Sequence, residues 1–107
     1  MELNINQIRP SVLEFAEDME KKLSENDHKK HWNDCNSNYL YSMLQEEFNE
    51  VSAEIFKLYY YFNSEEYQVT EEMKVDAVKE LADLANICHM LADQVKKDNF
   101  DFTPKGE

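Results

Sequence analysis

Between Ser11 and Thr103 the chain carries neither proline nor glycine; these residues stand only at Pro10, Pro104 and Gly106. With the strongest helix breakers confined to the ends, long helices are permitted throughout. Hydrophobic positions recur at helical spacing in three blocks. In the first, about Ser11 to Glu25, Val12, Phe15, Ala16, Met19 and Leu23 form an apolar stripe behind Pro10 and Ser11, and the opposite face is charged. The polar run "NDHKKHWNDCNSN" then breaks the periodicity, and its Asn, Asp and Ser residues suit turns and helix caps around Trp32.

The second block predicts a helix from about Asn38 to Phe62, where Leu40, Leu44, Glu47, Val51, Ile55, Leu58 and Phe62 follow one face. After the connector "NSEEYQV", Thr70 is placed to cap a third helix whose first turn holds Glu71 and Glu72, favourable at the positive end of a helix dipole. This helix is expected to reach about Lys97. One side carries Met73, Ala77, Glu80, Leu84, Ile87 and Leu91, and the adjoining face Val75, Val78, Leu81, Ala82, Ala85, Cys88, Ala92 and Val95. The stretch from Leu81 to Ala92 is apolar nearly all round, which predicts burial against several helices or another subunit, with His89 as a satisfied core histidine. Residues 98–107 read as a tail.

The pattern predicts an all-α fold: a compact helical bundle of three long helices plus short connecting segments, in one domain of 107 residues with its core at about 11–97. A chain of this length is near the size at which self-association adds needed burial, so a homodimer or higher homo-oligomer is expected. The aromatic run "LYYYF", Leu58 to Phe62, has more rings than one helix hides against a single neighbour, which makes it a candidate subunit contact or nucleotide-site wall beside the plainer reading of core packing.

Composition narrows the function. Hydrophobic residues at 42% and charged residues at 32% fit a water-soluble domain, and no apolar run approaches the ~18 residues that span a bilayer. The start "MELNINQIRP" lacks a basic segment followed by an apolar block, so no secretory signal is read and a cytoplasmic home is expected. Cys35 and Cys88 lack the spacing of a zinc site or a disulfide framework and are read as free thiols. A net charge of -12 opposes direct binding of DNA or RNA, and an anionic ligand would need a cation between it and the protein.

Abundant acids produce ExxE spacings by chance, as Glu14, Glu17 and Glu20 in the first helix show. Those three largely avoid the apolar stripe. Glu47 and Glu80 instead interrupt stripes on the two longest helices, where an ionised carboxylate is costly unless paired or bound to metal. Glu47 with Glu50, and Glu80 with Asp83, are i, i+3 pairs, so two helices side by side would gather four carboxylates, a hard-oxygen set suited to Mg2+ or Mn2+. The periodicity fits equally a solvated flank with Glu47 at a stripe edge. A di-iron bundle needs Glu-x-x-His pairs on core helices, and the sole match, Glu25 with His28, lies in the polar segment.

"EEFNE" followed by "ELAD" resembles the EExxE and ExxD signature of the MazG-like all-alpha nucleoside triphosphate pyrophosphohydrolases. The wider similarity runs through "FAEDMEKKLSENDHKKHW", the Leu40 to Val51 segment and "KELADLANICHMLAD", from about Phe15 to Asp93, and is to small members of the phage and prophage type. The resemblance implies that Glu47, Glu50, Glu80 and Asp83 hold Mg2+ or Mn2+, with Glu46 completing the first motif. It also implies hydrolysis of a nucleoside triphosphate to monophosphate and pyrophosphate.

On that reading Glu46 or Glu54 positions or deprotonates the attacking water. Lys29, Lys30 and Lys79 are candidate phosphate contacts, against solvated surface lysines. Trp32 is a candidate for stacking on the base, against a core lid. Asn86, one turn beyond Asp83, is a candidate nucleotide or ligand contact, against a helix-helix hydrogen bond. The rival from another class is a catalytically silent acidic interaction protein, an inhibitor or nucleic-acid mimic for a basic partner, which predicts dispersed surface acids and metal-independent binding.

Overall fold

The computed structural model describes residues 2–25 and 35–102. A single 3-10 turn, Ile5–Gln7, leads into α1 (Pro10–Glu25), α2 (Ser37–Phe62) and α3 (Glu71–Lys96), and no strand occurs among the described residues. All three helices lie where the hydrophobic periodicity places them. The caps show why their starts are sharp. Pro10 occupies the first position of α1, where a missing N–H costs nothing. The Asn36 side chain accepts from Asn38 N at 2.8 Å, and Thr70 Oγ1 accepts from Met73 N at 3.1 Å.

α3 is the central element. Both α1 and α2 pack on it, and α1 and α2 make no close backbone approach to each other. The radius of gyration is 16.7 Å, where a compact domain of this length has about 13 Å. The bundle is thus open where a compact one was expected. Its buried hydrophobic core is small: Leu40 and Val51 of α2 against Ala77, Ala82 and Ile87 of α3. α1 buries no residue fully. Its docking face is centred on Met19, Lys22 and Leu23, with Val12 and Ala16 of the expected stripe left exposed. No described helix is long and apolar enough to cross a membrane.

Three local expectations change. His89 is exposed, as are Cys88 and Ala92, because α3 has helices on only part of its circumference. Neither cysteine is in a disulfide. The segment after α3 is docked, at least to Phe102. Asp98 adopts φ 54°, and Asn99 N donates to Gln94 O at 2.8 Å while Asp98 N donates to Val95 O at 3.3 Å, the paired bonds of a left-handed helix stop. That reversal returns the chain to the start of α2, where Ser37 N donates to Asp101 O at 2.8 Å and Asp101 N donates to Ser37 Oγ at 2.9 Å.

Candidate metal centre

Midway along the α2/α3 contact the two helices bring their carboxylates together. One oxygen from each of Glu47, Glu80 and Asp83 lies within 4.8 Å of the other two. Metal-oxygen bonds of about 2.1–2.5 Å put ligands on opposite sides of an ion some 4–5 Å apart, so one divalent cation matches the spacing. All three side chains are half-buried. Glu47 Oε2 and Glu80 Oε2 are fully shielded from solvent and have no hydrogen-bond partner among the described residues. A buried anionic oxygen without a donor is the costly arrangement that a cation relieves.

The electrostatics agree with the geometry. Burial, and after it the charges of Glu50, Asp83 and Glu80, push the Glu47 carboxyl up to about 7. Glu80 is raised by burial and then by Glu50 and Asp83, with a smaller contribution from Glu54. Glu50 is within hydrogen-bonding reach of both Glu47 and Glu80, and two carboxyl groups share such a bond only when one carries a proton. Asp83 is raised by burial against the opposing pull of Lys22. In effect the site favours added positive charge, whether a proton or a cation.

The nearest structural cation comes from α1. Lys22 Nζ lies 3.6 Å from Asp83 Oδ2 and 3.5 Å from Glu25 Oε2. Burial works to lower the Lys22 amine, yet the charges of Asp83 and Glu25 carry it above its ordinary value. Beside it, Asn86 is buried; its Nδ2 donates to Met19 O of α1 at 3.1 Å and its Oδ1 has no partner among the described residues.

The sequence-expected site residues therefore separate into groups. Glu47, Glu80 and Asp83 form the ring, and Glu50 borders it while itself exposed. Glu54 is half-buried one turn beyond Glu50 and its charge is felt at Glu80. Glu46 is exposed, about 100° round the helix from Glu47. Asn86, a candidate nucleotide contact by sequence, makes the alternative helix-helix hydrogen bond and keeps an unused acceptor. Lys79 is exposed, and Lys29, Lys30 and Trp32 lie outside the described residues. Lys22 was not singled out by sequence; its signal was a lysine placed i, i+3 from Glu25 on the inner side of an amphipathic helix. Compared with known protein families, with curated proteins and with solved structures, the chain has no match.

Proposed function

We propose that the protein is a divalent-metal-dependent nucleotide pyrophosphohydrolase of MazG-like type, converting a nucleoside triphosphate to monophosphate and pyrophosphate. The observation that carries this reading is the convergence of Glu47, Glu80 and Asp83, with buried, donorless oxygens on the two glutamates. The residues fit a hard cation such as Mg2+ or Mn2+: all ligands are carboxylate oxygens, and a set of three, or four with Glu50, leaves positions for water and phosphate. Such an ion, when bound, neutralises the phosphate chain and lowers the pKa of a water. An acidic mimic would instead gain from dispersed, fully solvated acids, and the burial of this cluster speaks against it.

The chain's own groups then have distinct tasks. Glu47, Glu80 and Asp83 hold the cation, and Glu50, adjoining two of them, completes the set. Glu54 is better placed than Glu46 to accept the proton of the attacking water, because it is half-buried and adjoins the ring, whereas Glu46 points away on the helix wheel. Asn86 Oδ1 is an acceptor for a donor on the nucleotide. Lys22 opposes the upward push of burial on the Asp83 carboxyl. The same reading makes the protein a cytoplasmic phage-type enzyme acting on nucleotides, not on nucleic acid.

The test is incubation with Mg2+ or Mn2+ and a panel of canonical, deoxy, modified and signalling nucleotides, following pyrophosphate and monophosphate release. Metal-dependent release that disappears in Glu47→Gln and Glu80→Gln establishes the activity. Absence of both turnover and calorimetric Mn2+ binding rejects it.

A further inference from the structure

Three tyrosines meet at the C-terminal end of α2, and the local sequence explains why. Asn63 closes the helix: its backbone N–H and its Nδ2 both donate to Tyr59 O, at 3.2 and 2.8 Å. The next residue turns the chain, because Ser64 Oγ accepts from Glu66 N at 3.1 Å and from Tyr67 N at 3.2 Å. Tyr67 is thereby carried back against the last turn of α2. Its ring centroid lies 5.3 Å from that of Tyr61 and 6.3 Å from that of Tyr60, and Tyr60 and Tyr61 are 6.1 Å apart. The rings close a triangle, yet the fold leaves it uncovered. Tyr60 is 62% exposed, Tyr67 47% and Phe56, one turn earlier, 73%, while Tyr61 is half-buried.

We propose that this triangle is a docking site for an arginine-bearing basic segment of another protein, held by the ring faces and by the glutamates around them. A cation ~4 Å above the three centroids lies within ~6 Å of each, the reach of the attraction between positive charge and an aromatic face. The surrounding charge has the complementary sign. Residues 54–72 hold five glutamates, Glu54, Glu65, Glu66, Glu71 and Glu72, against the single lysine Lys57. Glu71 is engaged by Lys74 at 3.1 Å, but among the described residues no ion pair engages Glu65 or Glu66, which sit in the turn that positions Tyr67. Arginine suits the site better than lysine. Its guanidinium stacks flat on rings, is more weakly hydrated than an ammonium, and meets a carboxylate with two parallel N–H bonds.

The place of the triangle on the helix disfavours other occupants. At 100° per residue Tyr61 falls on the arc of α2 that carries Glu50, Glu54 and Lys57, with Tyr60 at its edge. A second copy of the chain, itself at a net charge of -12, would set glutamates against glutamates here. Single-stranded nucleic acid stacks on aromatic rings, but its phosphates would meet the same carboxylates. A basic segment gains from both the rings and the acids. Tyr61 lies ~16 Å along α2 from Glu50, so docking does not depend on whether the carboxylate ring holds metal.

The probe is a fluorescein-labelled nonapeptide of alternating glycine and arginine, followed by fluorescence anisotropy in chelator beside the same peptide with lysine for arginine. The arginine peptide should bind at least about threefold more tightly than the lysine peptide. Tyr67→Leu should weaken its binding about threefold and Tyr60→Leu with Tyr67→Leu about tenfold, whereas Tyr67→Phe, which keeps the ring face, should bind as wild type does. Glu65→Gln with Glu66→Gln should weaken binding more than Glu14→Gln with Glu17→Gln, which removes the same charge from α1. Equal affinity for the two peptides, indifference to the leucine substitutions, or equal effects of the two charge pairs would reduce the contact to general attraction by an acidic chain and overturn the proposal. A labelled oligo-dT whose binding Tyr67→Leu abolishes, or a dimer that Tyr67→Leu dissociates in sedimentation, would assign the rings to another occupant and overturn it too. Tyr67 lies outside the helices, so circular dichroism should not change on its substitution. Should the double variant lose helix content, Tyr67→Leu alone decides.

Discussion

Lys22 reaches from α1 to within 3.6 Å of Asp83 on α3, the one ion pair among the described residues that ties the outer helix to the carboxylate ring. The lysine and a bound cation would compete for the same negative charge. In Lys22→Met the metal-free protein should lose about 1 kcal/mol of stability, the upper range for a partly exposed pair. Its Mn2+ affinity at low ionic strength should rise severalfold, since a neighbouring like charge has gone. Urea unfolding in chelator and calorimetric titration read the two effects; a fall in both would mean that Lys22 organises the site and does not compete with metal.

The same competition predicts that the ligands destabilise the empty site. Glu47 lies half-buried among Glu50, Asp83 and Glu80, whose charges oppose its own. Glu47→Gln should therefore raise metal-free stability by about 1 kcal/mol, the usual gain from relieving one such conflict, and abolish Mn2+ binding. Equal loss of stability and of binding would show that the carboxylates are held by contacts the geometry does not reveal.

A pH dependence follows from the direction of the shift. The Glu47 carboxyl rises in the folded chain from its ordinary 4.5 to about 7. A raised acid contributes stability that is complete below its unfolded value and is lost as pH rises through its folded one. The stability difference between wild type and Glu47→Gln in chelator should widen in favour of the variant as pH climbs between about 4.5 and about 7, then level off. Because metal must displace the proton, Mn2+ affinity of the wild type should increase over the same interval. Affinity flat across that window would contradict the assignment of Glu47 as a ligand.

How far the sequence carried the structure depends on whether a feature is local. Helix limits were legible to within a residue or so because they rest on caps: Pro10, Asn36 and Thr70 act within one turn of their own position. The carboxylate ring was legible because Glu47 and Glu80 sit on stripes otherwise apolar, and a period of 3.6 reports a face directly. Lys22 was invisible for the opposite reason. Its partner Asp83 is brought near by the packing of α1 on α3, which no spacing within either helix records. The exposed His89 and Cys88 fail likewise: periodicity marks a face as apolar but does not say whether this chain alone covers it.

The segment after α3 supplies the last case and a prediction. Ser37 Oγ donates to Gln94 Oε1 at 2.6 Å, Gln94 Nε2 donates to Cys35 O at 2.8 Å, and both side chains are buried. Ser37 Oγ in turn accepts from Asp101 N, so one buried glutamine ties the start of α2, the end of α3 and the returning strand of chain. Nothing in "NFDFTPKGE" signals this, because the anchoring groups are a serine and a glutamine on other elements. Gln94→Leu would leave the Ser37 hydroxyl without its acceptor and the Cys35 carbonyl without its donor, at a cost of about 3 kcal/mol. Chymotryptic cleavage after Phe100 and Phe102 should accelerate as the segment detaches, while Mn2+ binding stays unchanged, since Gln94 lies ~16 Å along α3 from Asp83. If cleavage does not change, the aromatic contacts of Phe102 with Tyr41 and Phe100 hold the segment without the glutamine.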